Sequence, residues 1–273
     1  MKDFIRQNRL FSFYTALVIL IVLFALLAPY LAPQDPTASD MRLALQGPSS
    51  AHWLGTDKLG RDILSRLICG AQTSLFMTLC VVFLIAAVGT TVGILSGYFG
   101  GKVEIVLMRF ADMMLAFPGI VLAIAVAGIL GGSVINAILA LLVVSWAKHA
   151  RLVRSLVIKI RGQDFIQAAK VNGARTGMIL WRHILPNVLP MVIVTAAMDI
   201  GTMMMEIAGL SFLGFGAQPP TPEWGLMLNE GRQYMQSAPW LMAYPGLAIF
   251  IVVAVFNLWG DSLRDVLDPR QEE

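Results

Sequence analysis

Two carboxylates stand inside one of the most apolar stretches of this chain. In NVLPMVIVTAAMDIGTMMMEIAGLSFLG (187–214), Asp199 and Glu206 are seven residues apart, a step that returns to the same helical face, with Met203 between them at i+4 from the aspartate. A carboxylate at bilayer depth is costly unless it faces a water-filled cavity or a partner, so Asp199, Met203 and Glu206 are candidate pathway residues. Carboxylate oxygens suit a divalent cation or a peptide amine, and a thioether is a soft ligand. The competing reading is structural: one or both acids pair with a cation on a neighbouring helix. Met203, Met204 and Met205 point three ways on a helix, so most of the 15 methionines read as packing or lipid-facing. The three histidines make no metal path across the chain. His52 falls on one side of the spans, while His149 and His183 are expected at the opposite surface. Cys69 and Cys80 have no metal or redox spacing and read as packing residues.

A second stretch is of another kind. DFIQAAKVNGARTGMILWRHILPN (164–187) is too polar to span a bilayer and too apolar for a free linker. Residues 164–180 suit a short amphipathic helix, in which Phe165, Ala168, Ala169, Val171 and Met178 alternate with Gln167, Lys170, Asn172 and Arg175. Asp164 is the expected N-cap, and Gly173 would let the backbone turn or approach a partner closely. Pro186 marks where the next helix begins but cannot continue backwards. The segment is either an interfacial helix on lipid headgroups or a docking helix for a cytoplasmic partner.

Several chemistries are missing. The string nearest to a phosphate-binding loop, GYFGGKVE, lacks its first glycine and its Ser/Thr, and neither HExxH nor GxSxG occurs. The chain is therefore not expected to be an enzyme or to bind ATP itself.

The elements that must position these residues are membrane helices. With 57% hydrophobic and 14% charged residues among 273, and a mean hydropathy of +0.73, the chain lies outside the soluble class, where about a quarter of residues are charged. Six apolar segments can be drawn, at about 11–31, 73–97, 106–130, 134–150, 188–213 and 240–260. The first, preceded by MKDFIRQNRL, reads as a retained signal-anchor helix. In the third, Arg109 and Asp112 share a face and can satisfy each other, and Pro118 is expected to kink the helix. Between the first two, His52 to Leu67 has Leu59, Ile63 and Leu67 at helical spacing and reads as a helix lying across the outer face. Placing both termini in the cytoplasm leaves fifteen Lys and Arg inside against five outside, the asymmetry that sets orientation. The expected division is 1–71, an anchor helix with an outer segment, and 72–273, a transmembrane domain whose cytoplasmic loop spans 148–187.

Here the sequence resembles a known family. QAAKVNGARTGMILWRHILP is similar to the cytoplasmic "EAA" loop of permease subunits in ABC importers, matching at Gln167, Ala168, Ala169, Gly173, Leu185 and Pro186. Gln167 replaces the family's acidic residue, and His183 stands where the general pattern is aliphatic. The ending RHILPN, the segment HWLGTDKLGRDILSRLICGAQTSL (52–75), LSFLGFGAQPPTPEWGLMLNEGRQY (210–234) and NLWGDSLRDVLDPR (257–270) resemble the dipeptide, oligopeptide and nickel branch, in its second, C-type, permease. The resemblance implies an all-α, six-span type I permease of the inner membrane with no cofactor of its own. Its implied partners are a homologous permease, two ATPase subunits that hold ATP and Mg²⁺, an extracytoplasmic solute-binding protein and membrane lipid, with no nucleic acid. It also implies that Gln167, Ala168, Ala169, Gly173, His183, Leu185 and Pro186 dock the ATPase. The string MDIGTMMMEIAGLSFLGFG looks closer to nickel permeases, with a dipeptide or oligopeptide cargo as the alternative and a secondary transporter or intramembrane enzyme as outlying classes.

Overall fold

The computed structural model describes residues 8–267, and among them helices make up nearly the whole structure, with no strand. Apolar runs long enough to satisfy their own backbone are the reason, since a helix closes its hydrogen bonds within one segment. In chain order the helices are α1 (Arg9–Leu31), α2 (Ile63–Phe99), α3 (Gly101–Leu115), α4 (Gly119–Leu130), α5 (Val134–Arg161), α6 (Asp164–Val171), α7 (Thr176–Ile179), α8 (Leu185–Phe212), α9 (Trp224–Gly231) and α10 (Trp240–Leu267). Five stretches are long and apolar enough to cross a membrane, six if α3 and α4, bent by 92° at the break between them, count as one span.

Pro118 does more than kink this span. Helix α3 stops at Leu115, Pro118 sits at the N-cap of α4 with an extended ψ of 122°, and the missing N–H and the bulk of the ring close off the α3 register. Nor do Arg109 and Asp112 satisfy each other. Asp112 accepts from Arg151 Nη2 at 2.5 Å, and Glu104 accepts from Arg154, so α3 is pinned to α5 by two cross-helix pairs. Both bonds are possible because α5 continues to Arg161, well past the end expected at about 150.

Helix α2 is the spine. Its 37 residues rise about 55 Å at 1.5 Å each, and residues 71 and 72, where the sequence division was drawn, lie within it. Gly89, Gly93 and Gly97 form a stripe against α5: a Cβ at these positions would lie 2.6 Å from His149 Cβ, 2.6 Å from Val153 Cβ and 2.8 Å from Val157 Cβ. Small residues let two helix backbones approach this closely, which is how packing holds helices together in lipid. Arg161 at the end of α5 donates to the carbonyls of Gly97 and Tyr98, closing the C-terminus of α2 onto the same helix.

The segment between α1 and α2 departs from the expected surface helix. Residues 44–62 form an irregular loop closed by a single antiparallel bridge, Thr56 to Asp62, and helix begins only at Ile63, where Asp62 accepts from the Ser65 amide as N-cap. Gly60 explains why the loop wins. Its φ is +73°, and a side chain there would run into the Asp40 carbonyl, so Leu59 and Leu67 cannot belong to one helix.

Candidate functional site

The loop between α5 and α8 is built on a small core of its own. Ile166 of α6, Ile179 of α7, Ile184, and Val188 and Val192 of α8 pack with Ile94 of α2 and Val153 and Val157 of α5. Helix α6 is N-capped by Gln163 without a side-chain bond, and Asp164 occupies the first turn, where its charge complements the helix dipole. The helix ends in a Schellman motif: Ala174 N–H donates to Ala169 O and Gly173 N–H to Lys170 O, both at 3.0 Å, with Gly173 at φ +76°. This is the left-handed position that favours glycine. Gly173 therefore serves as the turn, and within this chain a Cβ there would meet nothing within 4 Å.

Beyond the turn, the chain runs without a break into α8 through a π turn, Leu180–Ile184, whose signature bond is Leu185 N–H to Leu180 O. Pro186 has no N–H for the Arg182 carbonyl, and the wider π register carries the helix past that gap. The helix thus does continue backwards from Pro186, against expectation. His183 lies against the Phe165 ring, with centroids 6.3 Å apart, so it joins the two halves of the loop. Gln167 donates to the Arg161 carbonyl at 3.3 Å. The expected apolar face, Phe165, Ala168, Ala169, Val171 and Met178, is not the buried one. Ile166 is the buried anchor, whereas Phe165, Val171, Met178 and Trp181 are exposed.

At the opposite end of the bundle is a site that the sequence did not reveal. Arg61 and Arg66, each 1% exposed, bridge Asp57 and Glu230. Arg61 Nε donates to Asp57 Oδ2 at 2.6 Å and its Nη2 to Glu230 at 2.9 and 3.0 Å. Arg66 Nη1 donates to Asp57 at 2.7 Å and Nη2 to Glu230 at 2.7 Å. Two guanidinium and two carboxylate groups hydrogen-bond to one another, with the more exposed Lys58 3.9 Å from Glu230 at the edge, and such mutual pairing is the condition under which buried charge is tolerated. Burial pushes the Glu230 carboxyl above its ordinary value, and the Arg61 charge pulls it back. The other end of α9 is fastened to α2 as well: Ser74 donates to Glu223 at 3.0 Å and Trp224 Nε1 to Leu67 O at 2.9 Å. Burial raises the Glu223 carboxyl too, while the Gly225 and Leu226 amides it caps pull it down.

The intramembrane carboxylates have company. Asp199 lies 3.9 Å from Lys148 Nζ and 3.7 Å from His149 Nδ1. His149 is not at the surface as expected; it is 2% exposed, packed beneath Gly89 because α5 runs on past it. Asp199 thus has a lysine and a histidine of α5 within 4 Å, Glu206 is half-buried, and Met203 is buried in the core cluster. Among the described residues no three His, Cys, Asp or Glu side chains gather as metal ligands would.

The model of the binding-protein-dependent transport system inner membrane component matches residues 89–273. The chain belongs to this family. The N-terminal TM domain of oligopeptide transport permease C matches residues 4–48 of the same permease. Among curated relatives, the permease is 44% identical to the dipeptide transport system permease protein of Alkalihalophilus pseudofirmus over 98% of this chain and 88% of that one. It is 44% identical to the nickel transport system permease protein of Escherichia coli K12, over 93% and 91%, and 48% identical to a glutathione transport system permease protein of Escherichia coli O6:K15:H31, over 93% and 84%. In fold it is similar to the inward-facing MetNI methionine ABC transporter, with a TM-score of 0.59 at 21% identity over 74% of this chain and 96% of that one. The permease is thus a multi-pass inner membrane protein, the non-catalytic membrane component of an ABC importer of the dipeptide, nickel and glutathione family. It works with ATPase and other transporter subunits.

Sequence reasoning sets Lys58, Arg61, Asp62 and Arg66 of this permease between the apolar residues of a surface helix and does not single out Asp57. The i,i+4 opposition of Asp57 and Arg61 was the available signal. Glu230 is 164 residues from Arg66, and no local pattern joins them.

Proposed function

We propose that this chain forms one half of the pathway of an ATP-driven importer whose cargo is a solute of short-peptide size. The observation that carries this reading is the α6–α7 loop. Its apolar side chains Phe165, Val171, Met178 and Trp181 stand exposed, while Ile166, Ile179 and Ile184 fasten it to α2, α5 and α8. An apolar surface on a rigid mount is what a docking element offers a partner. Gln167, Ala168, Ala169, Gly173, His183, Leu185 and Pro186 would then shape the surface that meets the ATPase. ATP and Mg²⁺ belong to two such ATPase subunits. A homologous permease supplies the facing wall, and an extracytoplasmic solute-binding protein delivers the cargo.

Both termini and the coupling loop face the cytoplasm in this reading. The support is the fifteen-to-five distribution of Lys and Arg, and two of the outer five, Arg61 and Arg66, are neutralised within the chain.

Likeness to the dipeptide and glutathione permeases supports the peptide cargo. The second reading is nickel, free or chelated, favoured by MDIGTMMMEIAGLSFLGFG and by likeness to the nickel permease. A chelate, which brings its own ligands, fits this chain better than a bare ion, since at most two of its described acidic, His or Cys side chains meet at one point.

In proteoliposomes holding the whole complex, a labelled dipeptide is expected to accumulate only with ATP on the coupling-loop side. Excess unlabelled dipeptide should compete, and a nickel chelate should not. Accumulation without ATP would end the importer reading, and uptake of nickel with none of dipeptide would install the second cargo.

A further inference from the structure

A row of charges runs down one side of the bundle where α5 faces α3 and α8. Lys148, Arg151 and Arg154 follow one another at three-residue steps on α5, each step rising about 4.5 Å. Each meets a carboxylate from another helix. Lys148 Nζ lies 3.9 Å from Asp199 on α8, Arg151 Nη2 donates to Asp112 on α3 at 2.5 Å, and Arg154 donates to Glu104 on α3. Glu206, seven residues beyond Asp199 on α8, continues the row, and Arg109 shares with the two α3 pairs a cleft of about 500 Å³.

These pairs differ in kind from the Asp57, Arg61, Arg66 and Glu230 set, whose side chains are at most 9% exposed. The Lys148 side chain is 79% exposed, and those of Arg151 and Asp112 are 52% each. Lys148 and Asp199 meet where the apolar half of α5 gives way to its charged half, and charge open to lipid there is disfavoured. The row therefore borders water or the polar wall of a facing subunit. Open pairs in water are worth only about 0–1 kcal/mol, so a passing solute can exchange its own charges for them at little cost.

We propose that this row is the solute-contacting wall of the pathway in this chain, and that it accepts solutes carrying both an ammonium and a carboxylate. The class rests on the short-peptide reading above, and a short peptide with free termini is its simplest member. Lys148 and Arg151 receive the carboxylate, while Asp199, Asp112 and Glu206 receive the ammonium. Alternation of sign does the selecting. A dipolar solute replaces each pair with two new contacts, whereas a solute of one sign is repelled by every second group.

The test uses the reconstituted complex, with one binding protein throughout, so that any change of selectivity belongs to the permease. Uptake of a dipeptide with both termini free is measured against its C-terminally amidated form. Wild type is expected to favour the free form, and Lys148→Gln with Arg151→Gln to lower that preference about tenfold, the worth of one charge-assisted hydrogen bond. An unchanged preference would overturn the assignment. A parallel arm places single cysteines at positions 148 and 151, on a background lacking Cys69 and Cys80, and reacts them with a charged thiol reagent in the assembled complex. Reaction is expected; failure to react would place the row against lipid and overturn the wall. Uptake of neither peptide form would remove the peptide reading and the dipolar selectivity together, while reactive cysteines would still establish the aqueous wall.

Discussion

Replacing Arg66 with methionine is expected to cut the yield and thermal stability of the assembled permease sharply. The change leaves Asp57 and Glu230, both nearly buried, with one buried guanidinium, that of Arg61, and the more exposed Lys58 3.9 Å from Glu230, and stranding a buried carboxylate costs about 3–5 kcal/mol. Loss of packing by the long arginine stem adds to this, so the single variant alone does not isolate the charge. The double variant Arg66→Met with Glu230→Gln does. It returns the buried members of the set to one cation and one anion, and the introduced amide can still accept from Arg61, so at least half of the lost melting temperature in detergent should come back. A single variant with wild-type stability, or a double variant no better than the single, would contradict the clasp.

Gly173→Val should leave the permease inserted and abundant yet reduce solute uptake about tenfold. At φ +76° a β-branched residue is strained by roughly 1–2 kcal/mol, which moves the turn that ends α6 and misplaces Val171 and Met178. Asparagine tolerates the left-handed region, and a side chain at this position meets nothing within this chain, so Gly173→Asn should keep most of the uptake. Equal loss in both variants would mean that the glycine is needed for close contact with the partner and not for the turn. Full activity in Gly173→Val would remove the position from the docking element.

What is legible in the sequence follows from how far each signal reaches along the chain. Apolar runs announce their own helices, so the spans and the amphipathic α6 can be found locally. Their ends are less visible. Helix α5 runs past the polar residues Lys148 to Arg161 because Arg151 and Arg154 have partners on α3, which no hydropathy window sees. The loop before α2 mimics a helix because Leu59, Ile63 and Leu67 keep helical spacing, while Gly60, at φ +73° and close against the Asp40 carbonyl, permits a turn that breaks it. Asp199 stands out as an intramembrane acid from sequence alone, but its neighbours Lys148 and His149 lie on another helix. Pairing across helices is the part of a membrane fold that periodicity does not encode.

Coupling to ATP turns on the exposed face of α6 and α7 meeting a cytoplasmic subunit, and Val171, 87% exposed at the end of α6, is the position to ask. A photo-reactive side chain at this position in the intact complex should crosslink to an ATPase subunit, with the yield changing between nucleotide-free and ATP-bound states. Crosslinks to lipid alone, in both states, would place this segment on the membrane surface and contradict the docking assignment.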